Sequence, residues 1–130
     1  MPAGSGPSDE GLRRTERLRR RADYQRCYRR GRRRHGSYAN LHYHPSDTNE
    51  TRLGITASRK VGKAVVRQRV KRRIREIFRR WPQRRQIAAI DVVVHVKPAA
   101  ASAGFDALSA EIERMLQTLP RRMVDRSPRW

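Results

Sequence analysis

Lys63-Ala64-Val65-Val66-Arg67-Gln68-Arg69-Val70-Lys71-Arg72-Arg73-Ile74-Arg75-Glu76-Ile77-Phe78-Arg79-Arg80-Trp81 is the stretch on which the fold turns. At about 100° per residue, Val66, Val70, Ile74, Ile77, Phe78 and Trp81 fall within an arc of roughly 120°, the width of a core-facing stripe. The spacing predicts one helix over Lys63–Trp81 with a single buried side. The rest of the wheel is cationic, with Arg69, Lys71, Arg72, Arg73, Arg75, Arg79 and Arg80 against one acid, Glu76. Pro82 ends the helix, because it lacks an amide donor and its ring clashes with the preceding turn.

Upstream, the run Arg52 to Ser58 alternates, with Leu53, Ile55 and Ala57 on one face. Before it, between Gly36 and Pro45, Ala39, Leu41 and Tyr43 alternate with Tyr38, Asn40, His42 and His44. Two alternating runs joined by the turn-like Ser46 to Asn49 predict an antiparallel hairpin. From Arg20 to Arg30, Tyr24, Cys27 and Tyr28 recur at helical spacing, and Gly31 is placed to stop that helix. Downstream, Ile90 to Val96 is a β-branched run that reads as a buried strand closed by Pro98. Phe105, Leu108, Ile112, Met115, Leu116 and Leu119 then repeat at helical spacing up to Pro120. The order helix, strand, strand, helix, strand, helix gives an α+β domain over residues 12–120, with the helices on one side of a small sheet. Residues 1–11 read as a disordered leader and 121–130 as a loose basic tail.

Thirty-two lysines and arginines stand against 12 acids, a surplus of +20 on 130 residues, which implies a polyanionic partner. Arginine dominates, and its flat fork binds phosphate bidentately and stacks on bases, so nucleic acid is favoured over a membrane surface. No stretch reaches the ~18 apolar residues of a membrane span, and the start lacks the apolar core of a secretory signal. The Arg-rich Leu12 to Arg21 resembles a transit peptide only until Glu16, Asp9, Glu10 and Asp23 are counted, so a cytoplasmic protein is expected. Cys27 stands alone, which excludes a disulfide framework. Four histidines and one cysteine do not fall at zinc-site spacings, so no metal site is expected and His42 with His44 reads as a solvated or RNA-facing pair. Metal-assisted phosphodiester hydrolysis needs oxygen ligands placed together; the acids here are scattered, and catalytic residues are not expected on this chain. Like charges three and four residues apart each cost a few tenths of a kcal/mol in an isolated helix, so the arginine face disfavours the free helix unless anions neutralise it.

The run from Arg52 to Glu76 closely resembles the signature of the bacterial ribonuclease P protein family. A strand, Arg52-Leu53-Gly54-Ile55-Thr56-Ala57, ends in the turn Ser58-Arg59-Lys60; Gly62, Ala64-Val65, Arg67-Gln68-Arg69, Lys71-Arg72 and Arg75-Glu76 follow in the family's order. Asp23 to Tyr28 with Gly31 resembles the family's first helix, and Asp91 to Pro98 its last strand. Gln68 departs from the pattern, standing where the family usually has Asn, with a longer amide and altered geometry. The resemblance implies a mixed sheet of three to four strands with a left-handed β-α-β crossover between about Arg52 and Val96, the fourth strand a split of the hairpin. It implies a subunit of an endonuclease that matures the 5′ end of precursor tRNA, its partners being ribonuclease P RNA and precursor tRNA, with no membrane and no obligate protein partner. Arg59, Lys60, Lys63, Arg67, Gln68, Arg69, Lys71, Arg72 and Arg75 would dock on the catalytic RNA, and Mg²⁺ would be held mainly by that RNA. Arg67 could instead cap a core contact, and Gly62 could be a simple turn glycine. Tyr24 and Tyr28, with Tyr43 as a further candidate, would line a cleft for the single-stranded 5′ leader, where stacking accepts any base; the alternative makes the first two core residues. Other readings of the charge are a ribosomal protein of similar fold, a structural RNA binder, and a DNA-binding regulator, although no turn and partner helix precede the basic helix.

Overall fold

The computed structural model describes residues 12–121; the expectations for residues 1–11 and for the tail beyond Arg121 lie outside the described residues. Helix α1 (Arg21–Arg30) leads into strands β1 (Arg32–His35), β2 (Ala39–Pro45) and β3 (Arg52–Ala57). Helix α2 (Ala64–Arg80), strand β4 (Ile90–Val96) and helix α3 (Phe105–Leu116) complete the order. The sheet runs β1-β2-β4-β3.

The expected hairpin does not form. β4 lies between the two runs, antiparallel to β2 from Ala39↔Val96 to Pro45↔Ile90 and parallel to β3 from Arg52↔Asp91 to Ala57↔Val96. A strand apolar on both faces belongs in the middle of a sheet; Val92, Val93, Val94 and Val96 are all buried, on alternating faces. The antiparallel neighbour that β2 takes through a tight turn is β1, paired from Arg32↔Tyr43 to His35↔Asn40. β1, and not a split of the hairpin, is the fourth strand. Its sequence, Arg-Arg-Arg-His, has no apolar alternation because it is an edge strand with mostly exposed side chains, contributing backbone bonds and the charge that blunts an edge. The parallel pair β3 and β4, joined through α2, forms the β-α-β unit that the resemblance implies.

The helices occupy both faces, which corrects the one-sided arrangement expected from the sequence. On one face Leu41, Tyr43, Leu53, Val92 and Val94 pack with Val70, Ile74, Ile77 and Phe78 of α2 and with Leu108, Ile112 and Leu116 of α3. On the other, Val93 packs with Cys27 of α1 and with Leu18, and Tyr24 joins them. Periodicity reports that a helix has an apolar side, not which face of the sheet receives it. Cys27 is fully buried. Burial, then the nearby Asp91 carboxylate, pushes its thiol up to about 12, so it is a packing residue and not a nucleophile.

Two sets of polar contacts fix the frame. Asp91, fully buried, accepts from Arg52 Nε at 2.8 Å and Nη2 at 2.9 Å. Arg52 also lies 3.2 Å from Asp47 and 3.6 Å from Asp23, while Arg26 of α1 reaches Asp23 at 3.1 Å. α1 is thereby tied to the sheet it covers. At the far end, buried Glu111 of α3 accepts the backbone amides of Ser37, Tyr38 and Ala39 at 2.7, 2.8 and 3.1 Å. It holds the turn between β1 and β2, which Lys97 Nζ braces through the Gly36 carbonyl at 2.6 Å.

Because a buried donor that loses its partner costs about 1–3 kcal/mol, Glu111→Ala is expected to lower unfolding stability by at least about 2 kcal/mol in urea titrations. Glu111→Gln, which keeps one acceptor oxygen, should lose less.

Candidate nucleic-acid interface

The basic surface follows from how α2 is anchored. Val70, Ile74, Ile77, Phe78 and the adjoining Trp81 are buried, and Val66 is half-buried, so the apolar stripe read from the sequence faces the core. Lys63 is the N-cap residue, and the helix ends at Arg80, before Trp81. The turn into the helix is closed by the Val61 amide on Ser58 O at 3.0 Å and the Gly62 amide on Arg59 O at 3.1 Å. Gly62 has φ +151°, a conformation that side chains with a Cβ rarely adopt, so this turn requires glycine.

The helix begins without a side-chain cap, leaving its first amides and the positive end of its dipole open to an anion. Arg59, Gly62, Lys63 and Arg67 line an open concavity of about 530 Å³ there. Arg67 is half-buried beside the apolar stripe, and its Nε is enclosed without a hydrogen-bond partner. On this helix the only acid, Glu76, takes Arg79 at 2.8 Å and Arg80 at 3.1 Å. Among the described residues no carboxylate lies within 4.0 Å of Arg59, Lys60, Lys63, Arg67, Arg69, Lys71, Arg72 or Arg75. Gln68 is exposed among them.

Between α1 and α2 a second cavity, of about 190 Å³, brings Lys71 and Arg75 together with Arg17 and Tyr24. Burial, then the charges of Arg17 and Arg72, pulls the pKa of Arg75 below its ordinary value. Three cations converge there without a carboxylate in the lining, an arrangement that an anion would relieve. Tyr24 reaches this position because Gly54 leaves room for its ring: a Cβ at Gly54 would come within 2.6 Å of it. The Tyr24 hydroxyl donates to Leu18 O at 3.2 Å.

Beside α1 the open face of the sheet is lined by Tyr28, Thr56 and His95, with His42 buried beneath the Tyr28 ring and so not the solvated histidine expected from the sequence. Tyr28 is 38% exposed, with its hydroxyl 2.7 Å from Thr56 Oγ1 and 3.3 Å from His95 Nδ1. Its ring meets His42 edge-on, with centroids 4.7 Å apart. Tyr24 and Tyr28 are therefore brought to one side of the sheet, half-packed with part of each left accessible. Tyr43 is not: it is buried on the opposite face, with its hydroxyl accepting from Arg34 at 3.1 Å and the Arg34 guanidinium 5.5 Å from the ring centre. Period-2 alternation already separates position 43 from positions 42 and 44. Reasoning from the sequence missed Arg17, Thr56 and His95. Thr56 and His95 are register partners in the parallel pair, a proximity hidden by pairing β3 with β2.

A family model described as Ribonuclease P matches residues 12–120. The chain belongs to the ribonuclease P protein family. It is 41% identical over 109 residues to the ribonuclease P protein component of Acidothermus cellulolyticus, covering 79% of this chain and 87% of that one. With the component of Desulfovibrio desulfuricans it shares 40% over 114 residues, covering 86% and 85%. The solved RNase P protein of Staphylococcus aureus superposes with a TM-score of 0.72 at 29% identity, over 78% of this chain and 93% of that one. That of Thermotoga maritima gives 0.71 at 29%, over 80% and 97%. Membership makes this chain the protein subunit of an endoribonuclease whose partner is ribonuclease P RNA.

No group of three or more His, Cys, Asp or Glu side chains among the described residues is placed to hold a metal ion. Asp23, Asp47 and Asp91 are engaged by Arg26 and Arg52.

Two measurements probe this surface. Burial, then Arg33, His95 and His35, lowers the pKa of His42. The unfolded chain therefore binds its proton more readily, and the stability tied to neutral His42 is present above about pH 6.5 and lost as pH falls through the lower folded value. Thermal midpoints should decline on acidification, less steeply in His42→Asn. At low ionic strength, sulfate should raise the midpoint of the wild type, since an anion bound only by the folded state stabilises it, and raise it less in a Lys71→Ala, Arg75→Ala double variant.

Proposed function

We propose that α2 and the turn from Ser58 to Lys63 dock on the catalytic RNA subunit of ribonuclease P, while the face between α1 and the sheet takes the single-stranded 5′ leader of precursor tRNA. The protein thereby assists endonucleolytic maturation of the tRNA 5′ end. The observation that carries this reading is the row of cations on α2 that have no acidic partner although the helix itself is firmly seated. Each phosphate they neutralise releases condensed counterions, and guanidinium forks add bidentate geometry.

The leader face is supported by different chemistry. Tyr28 offers a partly exposed ring, and His95 and Thr56 offer edges without a recognition pattern fixed to one base, so many leader sequences can be accepted. Arg17, Lys71 and Arg75 stand where the two surfaces meet, placed to hold a phosphate of the leader or of the RNA subunit. Phosphodiester cleavage belongs in this reading to the RNA, which holds Mg²⁺ mainly through its own oxygens, and this chain supplies grip and charge neutralisation that let the RNA work at low Mg²⁺. The working compartment is the cytoplasm, which suits an unpaired, buried Cys27. No helix among the described residues is long and apolar enough to cross a membrane.

Reconstitution with a ribonuclease P RNA and precursor tRNA at low Mg²⁺ tests the proposal: the protein should stimulate 5′ cleavage, and absence of stimulation would favour a purely structural RNA binder. Arg69→Ala should weaken RNA binding and reduce the slope of log affinity against log salt by nearly one; an unaltered slope would remove Arg69 from the interface.

A further inference from the structure

Three large apolar side chains are exposed among the described residues: Tyr28, Val65 and Phe105. Tyr28 belongs to the leader face and Val65 sits at the start of the docking helix. Phe105, 48% exposed, belongs to neither. It opens α3 and lines a groove of about 320 Å³ between α3 and α2, with Ile77, Arg72, Arg73, Arg80 and Glu76, the carboxylate that pairs with Arg80, along the α2 side. Ser109 and Glu113 form the other side, the hydroxyl 3.2 Å from Glu113 Oε2.

We propose that this groove is a nucleobase site, in which one unstacked base of the RNA subunit lies on the Phe105 ring with its flanking phosphates held by Arg72 and Arg73. The inference rests on the reading that α2 docks on RNA. The groove is continuous with that surface, since Arg72 belongs to both. Arg72 and Arg73 have no acidic partner among the described residues, while Arg80 is paired with Glu76. An aromatic ring beside free guanidinium groups is the chemistry by which proteins hold unpaired bases, whose faces stack and whose phosphates pair with arginine. The volume lies at the small end of ligand clefts, which suits a single base better than a peptide segment. Glu113 and Ser109 supply acceptors on the far wall, favouring a base with an exocyclic amino group. The N-terminus of α3 carries no side-chain cap at Gly104, so its first amides add positive potential beside the ring, alongside Arg72 and Arg73 and against the carboxylates of Asp106, Glu113 and the Arg80-paired Glu76.

The test measures binding of full-length protein to ribonuclease P RNA at matched salt for the wild type, Phe105→Ala, Phe105→Leu, Phe105→Trp and Arg69→Ala, with thermal melts to confirm folding. Phe105→Ala should weaken binding by about ten- to a hundredfold with an unchanged salt slope, because stacking carries no counterion release. Phe105→Trp should retain affinity, and Phe105→Leu should fall well below it. If Phe105→Ala binds as the wild type while Arg69→Ala is weakened, the base site is wrong and the docking helix stands. If both bind as the wild type, the base site is overturned and Arg69 is removed from the interface as well. Equal affinity of the Leu and Trp variants would overturn stacking. A change confined to self-association, seen by sedimentation, would overturn the site by assigning the groove to a second copy of the chain.

Discussion

The apolar stripe of α2 has one place to go, the sheet face built by Leu41, Leu53, Val92 and Val94, and that burial dictates where every cation on the helix ends up. Each of Val70, Ile74, Ile77 and Phe78 contributes roughly 1.5–3 kcal/mol when taken out of water. Repulsion between neighbouring arginines costs a few tenths of a kcal/mol per pair. Burial wins by a wide margin, so the helix stays seated while its outer side remains electrostatically unsatisfied. A free-standing basic helix could shed its charge crowding by unwinding; this one is held in the crowded state, and binding an anion is the relief left to it.

The sheet converts this one-sided helix into two adjoining surfaces. With β4 central and parallel to β3, α2 crosses one face and α1 covers part of the other. Lys71 and Arg75 project from the flank of α2 toward α1, where Arg17 and Tyr24 meet them. Gly54 is the pivot of that meeting, because any side chain there would displace the Tyr24 ring. A strand residue with no side chain thus decides whether the helix on one face and the tyrosines on the other form a continuous wall.

Much of this was legible in the sequence, and the failures have physical causes. The α2 stripe and the buried β4 run are legible to within a residue of their ends, because each buries one continuous side and imprints a period, whereas the α3 repeat runs on through Leu119 although the helix ends at Leu116. β1 left no trace: Arg32, Arg33 and His35 are exposed and Arg34 packs on Tyr43 without an apolar side chain to mark it, and backbone pairing does not depend on side-chain pattern. Losing β1 forced the wrong partner on β2, and that error hid the approach of Thr56 to His95. The sheet face taken by α1 was not readable either, since Cys27 and Tyr24 would give the same spacing on any apolar surface. Among the tyrosines, Tyr24 and Tyr28 were found through helical spacing, whereas Tyr43 sits where alternation with His42 and His44 puts it, in the core.

Charge pairing, more than residue type, separates the arginines that hold the fold from those that face outward. Arg26 and Arg52 meet Asp23, Asp47 and Asp91; Arg84 meets Glu16; Arg79 and Arg80 share Glu76. Glu111 is committed to backbone amides. Among the described residues these acids are committed to structure, and no carboxylate comes within 4.0 Å of Arg67, Arg69, Lys71, Arg72 or Arg75. A chain with the same net surplus and its acids dispersed along α2 would fold as well and bind RNA worse, because neighbouring carboxylates would cancel the field and repel the phosphates. The acids are therefore spatially organised: among the described residues Asp23, Asp47, Asp91 and Glu111 lock α1, the sheet and the β1–β2 turn, which leaves the outer side of α2 with Glu76 as its one acid and a strongly positive field.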